Sequence, residues 1–99
     1  MVVNIQYQKM QSSESLNRIL MKKMNRLSAK YGWVIKANVL FKTEPDRTGE
    51  GNICEIELSA PGPRLFAKSN SDNFEKSMAE TIDDLKRQLE KRQGQFVRH

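Results

Sequence analysis

The stretch that decides the fold is CEIELSAPGPRLFAKSNSDNFEKSM, residues 54–78. Cys54, Ile56 and Leu58 alternate with Glu55, Glu57 and Ser59, the period of two expected of a half-buried strand. Ala60-Pro61-Gly62-Pro63 reads as a tight turn, since proline presets φ and glycine accepts conformations other residues avoid. RLFAKSN, residues 64–70, resumes as a short strand. Asp72 with Glu75 three residues on has the form of a capping box, with Asp in place of Ser or Thr. Phe74, Met78, Ile82, Leu85, Leu89 and Phe96 then recur at helical steps. The spacing predicts a hairpin feeding an amphipathic helix over 73–93, with 94–99 as a tail.

Working outward, Val3, Ile5 and Tyr7 alternate with Asn4, Gln6 and Gln8, which predicts a strand over 2–8. Ser12 and Ser13 offer N-caps for a helix over 13–31. Its apolar face is Leu16, Ile19, Leu20, Met24, Leu27 and Tyr31, and Gly32 stands at the natural C′ stop. Over 33–42 the period returns to two: Ile35, Ala37, Val39 and Phe41 face one side, Lys36, Asn38 and Lys42 the other. TEPDRTGEG, residues 43–51, is loop by composition. The order β-α-β-β-β-α predicts an α+β fold. Strands two to four form an antiparallel meander in a four-stranded sheet, and two helices pack on one face, a layout like that of a double-stranded-RNA-binding domain. Ninety-nine residues are read as a single domain, 1–99, with an ordered core of about 2–93.

The chain carries net charge +5, with a pI near 9.6. Its one cysteine cannot form an internal disulfide, which suits a reducing compartment. No apolar run approaches the roughly 18–20 residues that span a bilayer. MVVNIQYQKMQ lacks the charged and apolar regions of a signal peptide. The expectation is a soluble, cytoplasmic protein with no membrane partner.

Charge is distributed unevenly. Arg18, Lys22, Arg26 and Lys30 recur at i, i+4, so they share one side of the first helix; with Lys23 they make five bases against Glu14 alone. In the second helix Asp72, Glu75, Glu80, Asp83 and Asp84 come first, and Lys86, Arg87, Lys91, Arg92 and Arg98 come late. Acids early and bases late complement the helix dipole, which explains part of the pattern. A charged helix face is also the ordinary solvated outcome. Two such ridges on neighbouring helices make a surface suited to a phosphate backbone, since long flexible cations position a strand without reading its sequence.

The inventory argues against catalysis. The only histidine is the terminal His99, and Cys54 keeps phase with Ile56 and Leu58 as a small core hydrophobe. There is no Cys/His metal spacing and no phosphate-cradling glycine loop, so no cofactor, metal or small-molecule substrate is expected. Glu55 and Glu57 share a strand face, where exposure is the simpler setting than acid–base work. Tyr31, Phe41 and Phe74 read as core, whereas Trp33 and Phe66 fall off the core phase.

At this point the chain resembles the ribosome hibernation promoting factor and ribosome-associated inhibitor family. The resemblance rests on the element order, on residues 54–78 quoted above, and on DLKRQLEKRQ, residues 84–93, with Leu85, Arg87, Gln88 and Lys91 in the Leu-x-Arg-Gln-x-x-Lys ending. It covers about residues 2–93. The resemblance implies a bacterial, non-enzymatic factor that binds ribosomal RNA of the small ribosomal subunit. Such factors sit in the messenger and transfer RNA channel near the decoding centre and block translation in slow growth or stress. It places RNA contacts at Arg87, Gln88 and Lys91, with Lys86 and Arg92 beside them. Arg18, Lys22, Lys23, Arg26 and Lys30 match only as a basic first helix. The family often has a base before that Leu and an acid after it; this chain has Asp84 and Lys86. The chain resembles the short type, which lacks the second domain that joins two ribosomes, and is expected to be monomeric when free.

Two other readings stay open on the residues. One is a general double-stranded-RNA module that recognises A-form shape. The other is a protein-interaction domain using Trp33, Leu40 and Phe66 on the outer sheet face.

Overall fold

The computed structural model describes residues 1–45 and 47–96. The elements run β1 (Val2–Gln8), α1 (Glu14–Lys30), β2 (Lys36–Thr43), β3 (Asn52–Ser59), β4 (Leu65–Ser71) and α2 (Phe74–Phe96). They form one four-stranded sheet in the order β1-β2-β3-β4, with β2, β3 and β4 an antiparallel meander. β1 pairs with β2 in parallel, Val3 opposite Ala37 and Tyr7 opposite Phe41, which makes α1 the crossover of a βαβ unit.

The register sorts side chains by face. Val3, Ile5 and Tyr7, then Ala37, Val39 and Phe41, then Cys54, Ile56 and Leu58, then Leu65 and Ala67 line one face. Both helices pack there. Leu16, Leu20, Met24 and Leu27 of α1 and Met78, Ile82, Leu85 and Leu89 of α2 join the same buried cluster. The expected α+β architecture is the observed one.

α2 docks through hydroxyls as well as hydrocarbon. Thr81 Oγ1 donates to the Cys54 carbonyl at 3.2 Å, and Ser77 Oγ donates to the Asn52 carbonyl and lies 3.0 Å from Ser71 Oγ. Each buried hydroxyl is therefore satisfied, as burial demands.

Local differences from the sequence reading have local causes. Ser13 caps α1, accepting the Leu16 N–H at 3.2 Å. The helix then closes without a left-handed residue: the Tyr31 N–H donates to Leu27, and Gly32 lacks positive φ. The cap of α2 is Asn73, whose Oδ1 accepts the Lys76 N–H at 2.8 Å; Asp72 lies one residue too early. α2 also continues through Gly94 to Phe96, past the expected end at 93. Ile35 is 61 % exposed instead of facing the core: its backbone bonds Ser59 and Val2, but the Val34 N–H bonds back to Tyr31 and Val34 takes the buried place. Trp33 accordingly leaves the outer sheet face. It packs edge-on against Tyr31 and Phe96 at 6.0 and 4.9 Å, partly buried against the core. Arg98 and His99 lie outside the described residues.

Candidate nucleic-acid interface

The buried stripe of α1 sets the direction of its cations. Arg18, Lys22 and Arg26 each stand two residues after a core residue, about 200° around the helix, and Lys30 continues the row. All four are exposed and point away from the sheet, while Lys23 is half-buried at the side. Among the described residues no ion pair joins any of the five to a carboxylate. Lys30 Nζ sits 5.4 Å from the centre of the Tyr31 ring, a cation–π contact that leaves it open to solvent.

α2 divides its late polar residues in two. Lys86, Arg87 and Lys91 are exposed and outside every ion pair among the described residues. Gln88 and Arg92 are turned onto the protein. Gln88 Nε2 donates to the Phe66 carbonyl of β4 at 2.9 Å and to Asp84 Oδ1 at 3.2 Å. Arg92 Nη1 donates to the carbonyls of Pro61 and Pro63, gripping the β3–β4 turn. Gly62 takes φ 92°, a conformation that favours glycine, and a Cβ there would stand at ordinary contact distance, 3.5 Å, from Nη1. Helical spacing identified these two as late polar residues but could not show that the turn folds back onto them.

The helices run in the same direction. Leu16 shares a cleft with Asn73, Phe74 and Glu75, while Lys30 and Tyr31 share another with Glu90, Gln93 and Gly94. Parallel helices put both starts at one end of the molecule and both finishes at the other. Glu14, Asp72 and Glu75 therefore gather at the first end. Arg26, Lys30, Lys86, Arg87 and Lys91 gather toward the second, joined by the exposed Lys36, whose position in β2 gave no sign of it. The cationic surface is thus densest at the paired helix C-termini, where the dipoles also favour positive charge. The earlier cations Arg18 and Lys22 lie level with the acidic half of α2.

The outer sheet face differs in character. Asn4, Gln6, Asn38, Leu40, Glu55, Glu57 and Phe66 line an open concavity of about 400 Å³. Its carboxylates are engaged: Glu55 with Lys42 at 3.0 Å and Lys68 at 3.9 Å, Glu57 with Arg64 at 3.2 Å. The hydrogen bonds that Lys42 donates to Glu55 and then to Glu44 push its pKa up. Cys54 is fully buried, and burial raises its thiol to about 12, which removes it as a nucleophile. Among the described residues no group of His, Cys, Asp and Glu could hold a metal ion, and no helix is long and apolar enough to cross a membrane.

The structure is a four-stranded α+β sheet with two parallel helices on one face, and exposed cations stand along the later half of each helix. The sequence matches the family model described as sigma 54 modulation protein / S30EA ribosomal protein over residues 3–96, and the chain belongs to that family. This is the hibernation-factor family that the sequence resembled. Among solved structures, the chain is similar to a ribosomal subunit interface protein from Coxiella burnetii, with TM-score 0.84 and 20% identity over 95% of this chain and 99% of that one. It is also similar to the Protein Y N-terminal domain from Thermus thermophilus, with TM-score 0.79 and 16% identity over 92% and 98% of the two chains. No curated protein matches the sequence.

Proposed function

We propose that this chain is a single ribosome-binding domain of the cytoplasm that holds the small ribosomal subunit through its RNA, obstructs the messenger and transfer RNA channel, and silences translation without enzymatic chemistry. The observation that carries this reading is the convergence of Arg26, Lys30, Lys86, Arg87 and Lys91 near one end, all exposed and, among the described residues, outside every ion pair. Uncompensated charge of one sign repels itself, and a polyphosphate strand relieves that repulsion while releasing counterions. Family membership and the likeness to a ribosomal subunit interface protein support the choice of ribosomal RNA over other polyanions.

Co-sedimentation with purified small subunits tests it. Charge reversal at Lys22 and Arg26, or at Arg87 and Lys91, is expected to release the folded protein from subunits and to restore translation in a cell-free reaction. Folded variants that sediment as the wild type does would refute the surface. Tight binding to an RNA duplex with indifference to subunits would point to the general double-stranded-RNA module instead.

A further inference from the structure

The cationic end also holds an aromatic row that the charge argument does not use. Phe96, in the last turn of α2, is 49 % exposed although its ring is braced edge-on by Trp33 at 4.9 Å. Trp33 is in turn edge-on to the buried Tyr31, over which Lys30 Nζ sits. The row joins the ends of both helices through residues 63 positions apart in the chain, so sequence spacing gives no sign of it. Beside it a cleft of about 210 Å³ is lined by Lys30, Tyr31, Glu90, Gln93 and Gly94.

A ring packed edge-on against one aromatic neighbour while half its surface stays in water is poor core packing but a stacking platform. Its setting favours a base over a phosphate. Among the described residues, the last turn of α2 carries no basic side chain. Glu90 adds a carboxylate to the adjoining cleft. That carboxylate repels phosphate and attracts amino groups, whereas Lys30, on the same cleft, holds the backbone beside it.

We propose that the exposed face of Phe96, braced by Trp33, stacks one unpaired nucleobase of the RNA whose backbone lies along the adjoining cations. The inference rests on the RNA reading above and deepens it: the partner presents an unpaired nucleotide at this end, not continuous duplex alone. Stacking tolerates any base, so the site adds affinity for single-stranded RNA without specifying its sequence.

Trp33 is the only tryptophan and reports on the site directly. Its emission would be followed while the protein is titrated with a single-stranded adenine ribo-oligonucleotide and, separately, with an RNA duplex of equal phosphate count. The single strand is expected to quench Trp33 and the duplex to leave it unchanged. Phe96→Leu, which keeps an apolar side chain but no π face, should weaken single-strand binding roughly five- to tenfold without altering its salt dependence. Phe96→Tyr should bind as the wild type does. Phe96→Leu binding oligonucleotide and small subunits at wild-type affinity would overturn the stacking site and leave the charge surface standing. Wild-type protein that binds neither RNA nor subunits would overturn both.

Discussion

Arg92→Ala separates a cation that holds the fold from one that holds a ligand. Two hydrogen bonds leave Nη1 for the Pro61 and Pro63 carbonyls, and proline supplies no N–H of its own to tie down the turn. A hydrogen bond to a charged group contributes about 1.5–3 kcal/mol when well buried. This pair lies on an exposed turn with Arg92 half-buried, so about 1.5 kcal/mol for both together is the appropriate figure. In a chain of this size each kcal/mol shifts Tm by roughly 4–8 °C, which puts the expected loss at about 6–12 °C. Lys91, one residue earlier and exposed, should behave oppositely. Lys91→Ala should change stability by less than about 0.5 kcal/mol. It should also reduce the salt slope of RNA binding by about 0.7–0.9, the effect of one phosphate contact. Arg92→Lys, which keeps the charge but ends one bond short of where Nη1 stands, should melt nearly as low as Arg92→Ala. Urea and thermal melts followed by Trp33 emission, paired with a salt titration, read both quantities. The reasoning fails if Arg92→Ala melts with the wild type and flattens the salt slope as Lys91→Ala does.

Asn73→Ala should cost about 0.5–2 kcal/mol in a urea melt, because it removes the acceptor for the Lys76 N–H, whereas Asp72→Ala should be nearly neutral. Thr81→Val keeps the shape but loses the donor to the Cys54 carbonyl, and should destabilise by about 0.5–1.5 kcal/mol on the same assay. Cys54 should resist a thiol-specific disulfide reagent at pH 8 in the native protein and react at once in urea. Its folded pKa of about 12 lies above the ordinary 9.0, so its share of stability is complete below pH 9 and is lost as the pH climbs toward 12; Cys54→Ala should show a shallower alkaline decline.

The elements were legible because each strand buries one face and each helix one stripe. Alternation in Val3–Tyr7 and in Cys54–Leu58, and the helical steps from Leu16 to Tyr31 and from Met78 to Leu89, record that burial directly. The exposure of Arg18, Lys22, Arg26 and Lys30 followed from the same geometry. Relations between distant segments were harder to read. Nothing in residues 2–8 states that β1 lies parallel to β2, yet that pairing fixes α1 and α2 as parallel and gathers the late cations at one end. Gln88 and Arg92 look like their exposed neighbours in sequence; only the return of β4 and the proline turn shows that Gln88 Nε2 and Arg92 Nη1 donate to the protein itself. Trp33 was misplaced because a single off-phase residue just after a helix can belong to the turn instead of the strand, and its partner Phe96 comes from the far end of the chain.

The most direct measurement is the affinity for small ribosomal subunits across a salt series. If Arg26, Lys30, Lys86, Arg87 and Lys91 each neutralise a phosphate, log K should fall against log salt with a slope of about −3.5 to −4.5, and reversing Lys30 and Lys91 together should flatten it by about two contacts' worth. A slope near zero, or one unmoved by the double reversal in a folded protein, would mean that the cationic end does not hold the ribosome.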